Sequence, residues 1–190
     1  PEIGAFGKYE FNQDAAKAAL APCWVVGVKG SINLFRGGGD WYSRSAARST
    51  EVETHLVMSA AARATIGQET QWSVKDVEAL ASVVHSPGNV GASIASGSFE
   101  TMGMIVAPCS IKTLSAIAQC YTADLIARAA DVQLKEGRPV ILMVRETPLH
   151  KGHLRLMAEA ADHGAILMPP VPAFYGRPRT LDDIVNSTVG

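Results

Sequence analysis

Val140-Ile141-Leu142-Met143-Val144 is an unbroken apolar run, followed directly by Arg145-Glu146. A strand with one wet face alternates apolar and polar residues, so a continuous run marks a strand covered on both faces, the habit of parallel sheets between helices. The segments around it have the matching character. Upstream, Thr122 to Gly137 reads as a helix with Leu125, Ala129, Val132 and Leu134 as core positions. Thr113 to Ala118 is also helical, and Gly103 to Ala107 is a short buried strand ending at Pro108-Cys109-Ser110. Val52 to Met58 is β-rich and stops at Ser59, with helix-permissive Ala60 to Gly67 behind it. Ser73 opens a capped helix whose one face carries Val77, Leu80 and Val84. Downstream come a helix over Gly152–Asp162, a strand over Ala165–Met168 and a last helix over Thr180–Ser187.

Strands separated by helices of this length predict βαβ units. The fold class is α/β, a three-layer Rossmann-like (flavodoxin-like) parallel sheet. The 190 residues suit a single domain spanning 1–190, with 47% hydrophobic residues to fill one core. A net charge of −1 gives no electrostatic case for nucleic acid or an anionic membrane. No apolar run approaches the roughly 20 residues of a membrane span, and Pro1-Glu2-Ile3 does not open a signal peptide. Cys23, Cys109 and Cys120 lack metal-site spacing and read as reduced thiols, which predicts the cytoplasm.

The first fifty residues are atypical. Trp24-Val25-Val26-Gly27-Val28 reads as the first strand, yet Lys29 to Thr50 shows no helical period and carries Gly37-Gly38-Gly39-Asp40. A doubly wound sheet needs a crossover helix there.

Ligands of open parallel sheets bind at the carboxyl ends of the strands. After Gly103–Ala107 that rule selects Ser110, Ile111, Lys112 and Thr113, where two hydroxyls, an ammonium and a helix N-terminus converge as they do around phosphates and flavins. The same hydroxyls serve equally as plain helix caps. After Val144 it selects Arg145 and Glu146, a pair costly to bury unless they bind each other or a ligand. His150 and His153 share one helix face, as metal ligands do. No third ligand stands at a telling distance, so surface or hydrogen-bonded histidines are the expectation, with no metal. Ser96-Gly97-Ser98-Phe99 permits close approach to a ligand or makes a plain turn. Met168 to Tyr175 is a proline-stiffened loop ending in two aromatics, and Arg128, Lys135 and Glu136 lie on the Thr122–Gly137 helix as ordinary solvated charges would. No GxSxG, HExxH or full Walker A signature is present.

Together, Val52 to Ser59, SGSFETMGMIVAPCSIKTLSAIAQCY, LIARAADVQLKEGRPVILMVRETPLHKGHLRLM and MPPVPAFYGRPRTLDDIV closely resemble the flavin prenyltransferase family, over 51–190. The resemblance implies an FMN-binding enzyme, usually a homododecamer with FMN at subunit interfaces. It implies that dimethylallyl phosphate alkylates reduced FMN at N5, that the new ring closes onto C6, and that prenylated FMN passes to a partner decarboxylase. That partner is of the ferulate or ubiquinone-precursor type, which brings in ubiquinone biosynthesis. By the same resemblance, Ser59, Ser110, Ile111, Lys112, Thr113 and Arg145 are cofactor-binding. Arg128, Lys135 and Tyr175 contact dimethylallyl phosphate, and Glu146, Tyr175 and Glu69 are catalytic. The chain departs from the family at two places. The Gly-Ala-(Ser/Thr)-Gly turn expected after the first strand is replaced by Gly27-Val28-Lys29-Gly30-Ser31, where Lys29-Gly30-Ser31 is a substitute anion turn at best. The codons for Gly38 to Ser45, read one base later, are compatible with Ala-Thr-Gly-Ile-Leu-Gly-Val, which predicts a disrupted frame in 29–50. The family's other phosphate-binding arginine would fall just after Gly190. The alternative function is an impaired or inactive flavin-binding relative that has lost the phosphate loop.

Overall fold

The computed structural model describes residues 24–29, as backbone, and 53–189. The expected frame disruption in 29–50 and Gly30-Ser31 of the substitute anion turn lie outside the described residues. A six-stranded sheet has the order β3-β2-β1-β4-β5-β6, formed by β1 (Trp24–Lys29), β2 (Glu53–Met58), β3 (Val83–His85), β4 (Met104–Cys109), β5 (Val140–Val144) and β6 (Ile166–Leu167). The helices are α1 (Ala60–Glu69), α2 (Val74–Glu78), α3 (Ile111–Ala118), α4 (Leu125–Lys135), α5 (Lys151–Asp162) and α6 (Leu181–Val189), with 3-10 turns at Ser93–Ala95 and Phe174–Gly176. Among the described residues no helix is long and apolar enough to cross a membrane.

The apolar run at Val140 is the strand its composition predicts. Val140, Leu142 and Val144 are buried on one face with Val106, Leu114, Leu125, Ala129 and Ala130, while Ile141 and Met143 on the other face are half-buried. On the second face of the sheet, α1 and α2 pack Ala62, Ile66 and Val77 against Leu56 and Met58. Helices thus lie on both sides, as expected. Each large aliphatic side chain taken out of water contributes about 1.5–3 kcal/mol, so these two clusters hold the layers together.

Five strands run one way. β1 is the exception: it is antiparallel to both β2 and β4, with Trp24 opposite Met58 and Ala107. A parallel neighbour requires a crossover, normally helical, and the sequence from Lys29 to Thr50 shows no helical period. The antiparallel run has a consequence for the site. Lys29 pairs with Glu53 at the start of β2, so β1 ends at the amino edge of its neighbours. A substitute anion turn beginning at Lys29 would leave from the wrong edge.

Two local boundaries also differ from the periodicity. The helix capped by Ser73 stops at Glu78; Leu80 is exposed and Val84 belongs to β3. The Ser73–Asp76 capping box fixes where this helix starts and says nothing about its length. β4 continues to Cys109 through an irregular register at Val106/Cys109, because Pro108 has no N–H to give the ladder. Gly103, at φ +149, lets the Gly137–Pro139 connection close onto the start of β4, where Met104 N–H donates to Pro139 O at 2.8 Å.

β2 and β3 share a histidine pair, buried at His55 and half-buried at His85. His55, 3% exposed, donates from Nε2 to Glu53 Oε1 at 3.2 Å, since a carboxylate only accepts. Its Nδ1 lies 2.9 Å from His85 Nε2, and Phe99 packs edge-on against the His55 ring. One proton fits between the two rings and a second does not. Burial, then the neighbouring His55, push the His85 pKa below its ordinary 6.5. The folded state therefore holds fewer protons than the unfolded chain below that value. Stability contributed here is complete above pH 6.5 and is lost as pH falls from there towards the lowered folded pKa. Asp76 and Asp183, each held down by hydrogen bonds, act only around and below 3.8, in a separate window. Thermal melts from pH 7.5 to 5 should therefore show a falling Tm, and His85→Gln should flatten that dependence; an equal slope in the variant contradicts the assignment.

Candidate functional site

Since β2, β3, β4, β5 and β6 all point the same way, the loops that follow them open on one edge. Ser59 follows β2 there and caps α1, its Oγ accepting from Ala62 N–H at 3.1 Å. Ser110 follows β4 and caps α3, accepting from Thr113 N–H at 3.3 Å, with the Thr113 hydroxyl 3.2 Å away. Lys112 is exposed beside them, and Ile111 packs against the core beneath.

The extra length of β4 decides what stands next to Ser110. Cys109 pairs with Val144, and Arg145 N–H donates to Cys109 O at 3.3 Å. Ser110 and Arg145 consequently leave the sheet side by side. Ser59 is two strands away, about 10 Å at ordinary strand spacing, with Trp24 of β1 between. Arg145 and Glu146 are both exposed, and Glu146 Oε1 accepts from Thr147 N–H at 3.1 Å. The ion pair that two such neighbours could make is not formed among the described residues. Arg145 therefore keeps a guanidinium at the edge for an anion.

His150 caps α5, accepting from Gly152 N–H at 3.0 Å through Nδ1. Its ring lies 3.6 Å from that of His153, whose Nδ1 is buried without a partner. One nitrogen of His150 is thus spent on the helix start.

Of the remaining predicted residues, Tyr175 and Arg128 lie outside this cluster, and Glu69 and Lys135 lie at the opposite edge. Tyr175 sits in the Phe174–Gly176 turn after β6 and is 94% exposed. Glu69 is the last residue of α1, about 15 Å along the helix from Ser59. Arg128 is near the start of α4, its Nε donating to Ala95 O at 3.3 Å and its Nη1 to Asp131 at 3.1 Å. Lys135 ends α4 at the amino edge and pairs with Glu136 at 2.9 Å, and that ammonium holds the Glu136 carboxyl below the usual range. One copy of the chain brings Ser59, Ser110–Thr113, Arg145 and Glu146 to one edge and leaves Glu69 and Lys135 at the other.

Arg138 escaped the sequence reading. Its partners are the carbonyls of Gly97 and Phe99, about forty residues upstream. Backbone acceptors leave no signature in sequence, and only the Gly97 turn itself was visible.

The class is defined by a family model described as Flavoprotein, which matches residues 20–190. Flavin prenyltransferase UbiX of Escherichia coli (strain K12) is 62% identical over 140 residues, 74% of each chain. Among solved structures, the dodecameric FMN-dependent UbiX-like decarboxylase from Escherichia coli O157:H7 superposes with a TM-score of 0.70 at 52% identity, covering 72% of this chain and 75% of that one. AnUbiX (PadA1), in complex with FMN and dimethylallyl pyrophosphate, gives 0.73 at 50% identity over 76% and 77%. The chain belongs to the flavin prenyltransferase family.

The caps can be tested apart from any ligand. Ser110→Ala removes a side-chain cap worth about 1 kcal/mol, so Tm should fall by about 2–4 °C. Ser110→Asp, an equally good cap, should restore it in the same melt.

Proposed function

We infer that this chain joins the dimethylallyl group of dimethylallyl phosphate to reduced FMN, making prenylated FMN for a partner decarboxylase. The observation that carries this reading is the shared edge of Ser110–Thr113 and Arg145, within a chain 62% identical to a named flavin prenyltransferase. The donor set there suits FMN: a helix N-terminus, two hydroxyls, an ammonium and a guanidinium that forms no ion pair with its neighbour Glu146. Ser59, Ser110, Ile111, Lys112, Thr113 and Arg145 would hold it. When bound, FMN supplies the nucleophilic ring positions to which the allyl group is joined.

The chain's own residues then have distinct tasks. Arg128 and Lys135 stabilise the charge that grows on the departing phosphate. Glu146 carries a proton to that phosphate, and Glu69 is a further polar group beside it. The Pro169–Phe174 wall, with the Tyr175 hydroxyl at its rim, keeps water from the allylic centre. Because Glu69 and Lys135 lie at the opposite edge from Arg145, the complete site draws on more than one copy. A homododecamer, the state named for the solved relative from Escherichia coli O157:H7, fits that need. It would also cover Trp72, Val171 and Phe174, which are more than half exposed in one chain. We read the chain as one flavoprotein domain in the cytoplasm, where Cys109 and Cys120 would stay reduced. The impaired flavin-binding relative is the less favoured reading.

Purified protein should take up FMN and turn yellow; reduced with dimethylallyl phosphate, it should yield flavin heavier by one dimethylallyl group. Colourless protein that refuses FMN would overturn the reading. Ser110→Asp, which keeps the cap but sets a negative charge against the flavin phosphate, should lose FMN affinity. Tyr175→Phe and Glu146→Gln should retain FMN and slow ring formation, by about 100-fold for the proton carrier; unchanged turnover in both removes these roles.

A further inference from the structure

The segment from Ala95 to Thr101, which leads into β4, makes few backbone hydrogen bonds of its own; Phe99 N–H donates to Ser96 O at 3.1 Å. It is held from outside, by α4 and the residues just beyond it. Arg128 Nε donates to Ala95 O at 3.3 Å, Arg138 Nη2 to Gly97 O at 2.7 Å and Nη1 to Phe99 O at 2.8 Å. Thr101 Oγ1 donates to the buried Gln133 Oε1 at 2.6 Å. The anchors fall on every second residue: 95, 97, 99 and 101. Those on Gly97 and Phe99 come from one guanidinium, a planar fork that fixes two carbonyls at once, where an ammonium offers a point. A trans peptide aims its N–H opposite to its C=O. Turning Gly97 O towards Arg138 therefore turns Ser98 N–H away from it, and among the described residues that N–H has no partner.

A second contact ties this turn to Lys135. Glu136, which caps α4, rests on Gly97 so closely that a Cβ there would overlap its carboxylate. The same carboxylate holds the Lys135 ammonium at 2.9 Å. Arg138 and Glu136 thus grip Gly97 from two sides, and Lys135 is the free end of the assembly.

We propose that Arg138 is a positioning residue for the allylic phosphate: it fixes the Ser96–Phe99 turn and, through Gly97 and Glu136, sets where the Lys135 ammonium stands. The proposal rests on the reading above that Lys135 meets the phosphate of dimethylallyl phosphate. Glycine at 97 then has a reason beyond backbone freedom, since any side chain pushes Glu136, and Lys135 with it, out of place.

The test is calorimetric titration of dimethylallyl phosphate into the full chain at saturating FMN, alongside FMN titration and thermal melts. Loss of one charge-assisted pin should weaken dimethylallyl phosphate binding by about tenfold in Arg138→Ala, with FMN affinity retained. Arg138→Lys should recover only part of it, and methylguanidinium added to Arg138→Ala should recover more. Gly97→Ala should weaken phosphate binding with little change in Tm. If Arg138→Ala and Gly97→Ala bind dimethylallyl phosphate as the unsubstituted chain does, or if Arg138→Ala loses FMN and dimethylallyl phosphate together with its Tm and methylguanidinium restores neither, the positioning role is refuted. Lys135→Ala separates the two levels. If it binds normally, or the unsubstituted chain does not bind, the reading of Lys135 fails and takes this proposal with it. If it binds weakly while Gly97→Ala and Arg138→Ala bind normally, only the proposal falls.

Discussion

The backbone pairing of Cys109 with Val144 is the contact on which the candidate site depends. Pro108 cannot donate to the ladder, and a strand that stopped before it would end two residues short. Instead β4 shifts register and resumes, so the N-terminus of α3 and the chain leaving β5 emerge together. Below that point Val106, Leu114, Leu142 and Val144 are at most 3% exposed. Their packing makes the two strand ends a rigid platform, so the Ser110 cap and Arg145 are placed by the core and need no mutual contact.

Length along a helix then sorts residues between the two edges of the sheet. Ser59 and Glu69 are the cap and last residue of α1, and Arg128 and Lys135 are seven apart on α4. At 1.5 Å per residue those separations are about 15 Å and 10 Å, a large part of the sheet's height. No rotamer of Glu69 closes the longer of these gaps. In the proposed reading the anion meets one copy at the carboxyl edge, and the Lys135 ammonium for the leaving phosphate arrives from another copy. Oligomerisation is in this reading a condition of the chemistry, and the exposed aromatics on the Pro169–Tyr175 loop fit the same requirement.

Much of the fold was legible because its signals are local. The apolar run at Val140, the Ser73 capping box and the Leu125–Val132 core stripe each reflect contacts within a few residues. The direction of β1 was not legible: Trp24 to Val28 reads the same run either way, and direction is set by what connects it to β2. The reach of α2 was misjudged for a related cause, since Leu80 and Val84 keep a helical spacing by coincidence and sit outside the helix. In the site, Ser110 and Arg145 were found because strand ends are a rule of the fold. Arg138 was invisible because its partners are carbonyls, and the edge on which Lys135 stands is a matter of which end of α4 meets β5.

At Ser110 a helix cap and the proposed ligand contact do not exclude each other. A hydroxyl caps a helix with a lone pair, accepting the N–H of Ala62 or Thr113, and still has a proton to donate. Around Ser110 the cap satisfies Thr113 N–H and leaves those of Ile111 and Lys112 unengaged among the described residues, at the positive end of the α3 dipole. Capping is therefore compatible with the anion site proposed there, because it fixes where these donors stand. In the proposed reading a short loop can therefore suffice in a protein with a net charge of −1: oriented backbone and one or two cations at close range would hold the phosphate, and long-range attraction is not required.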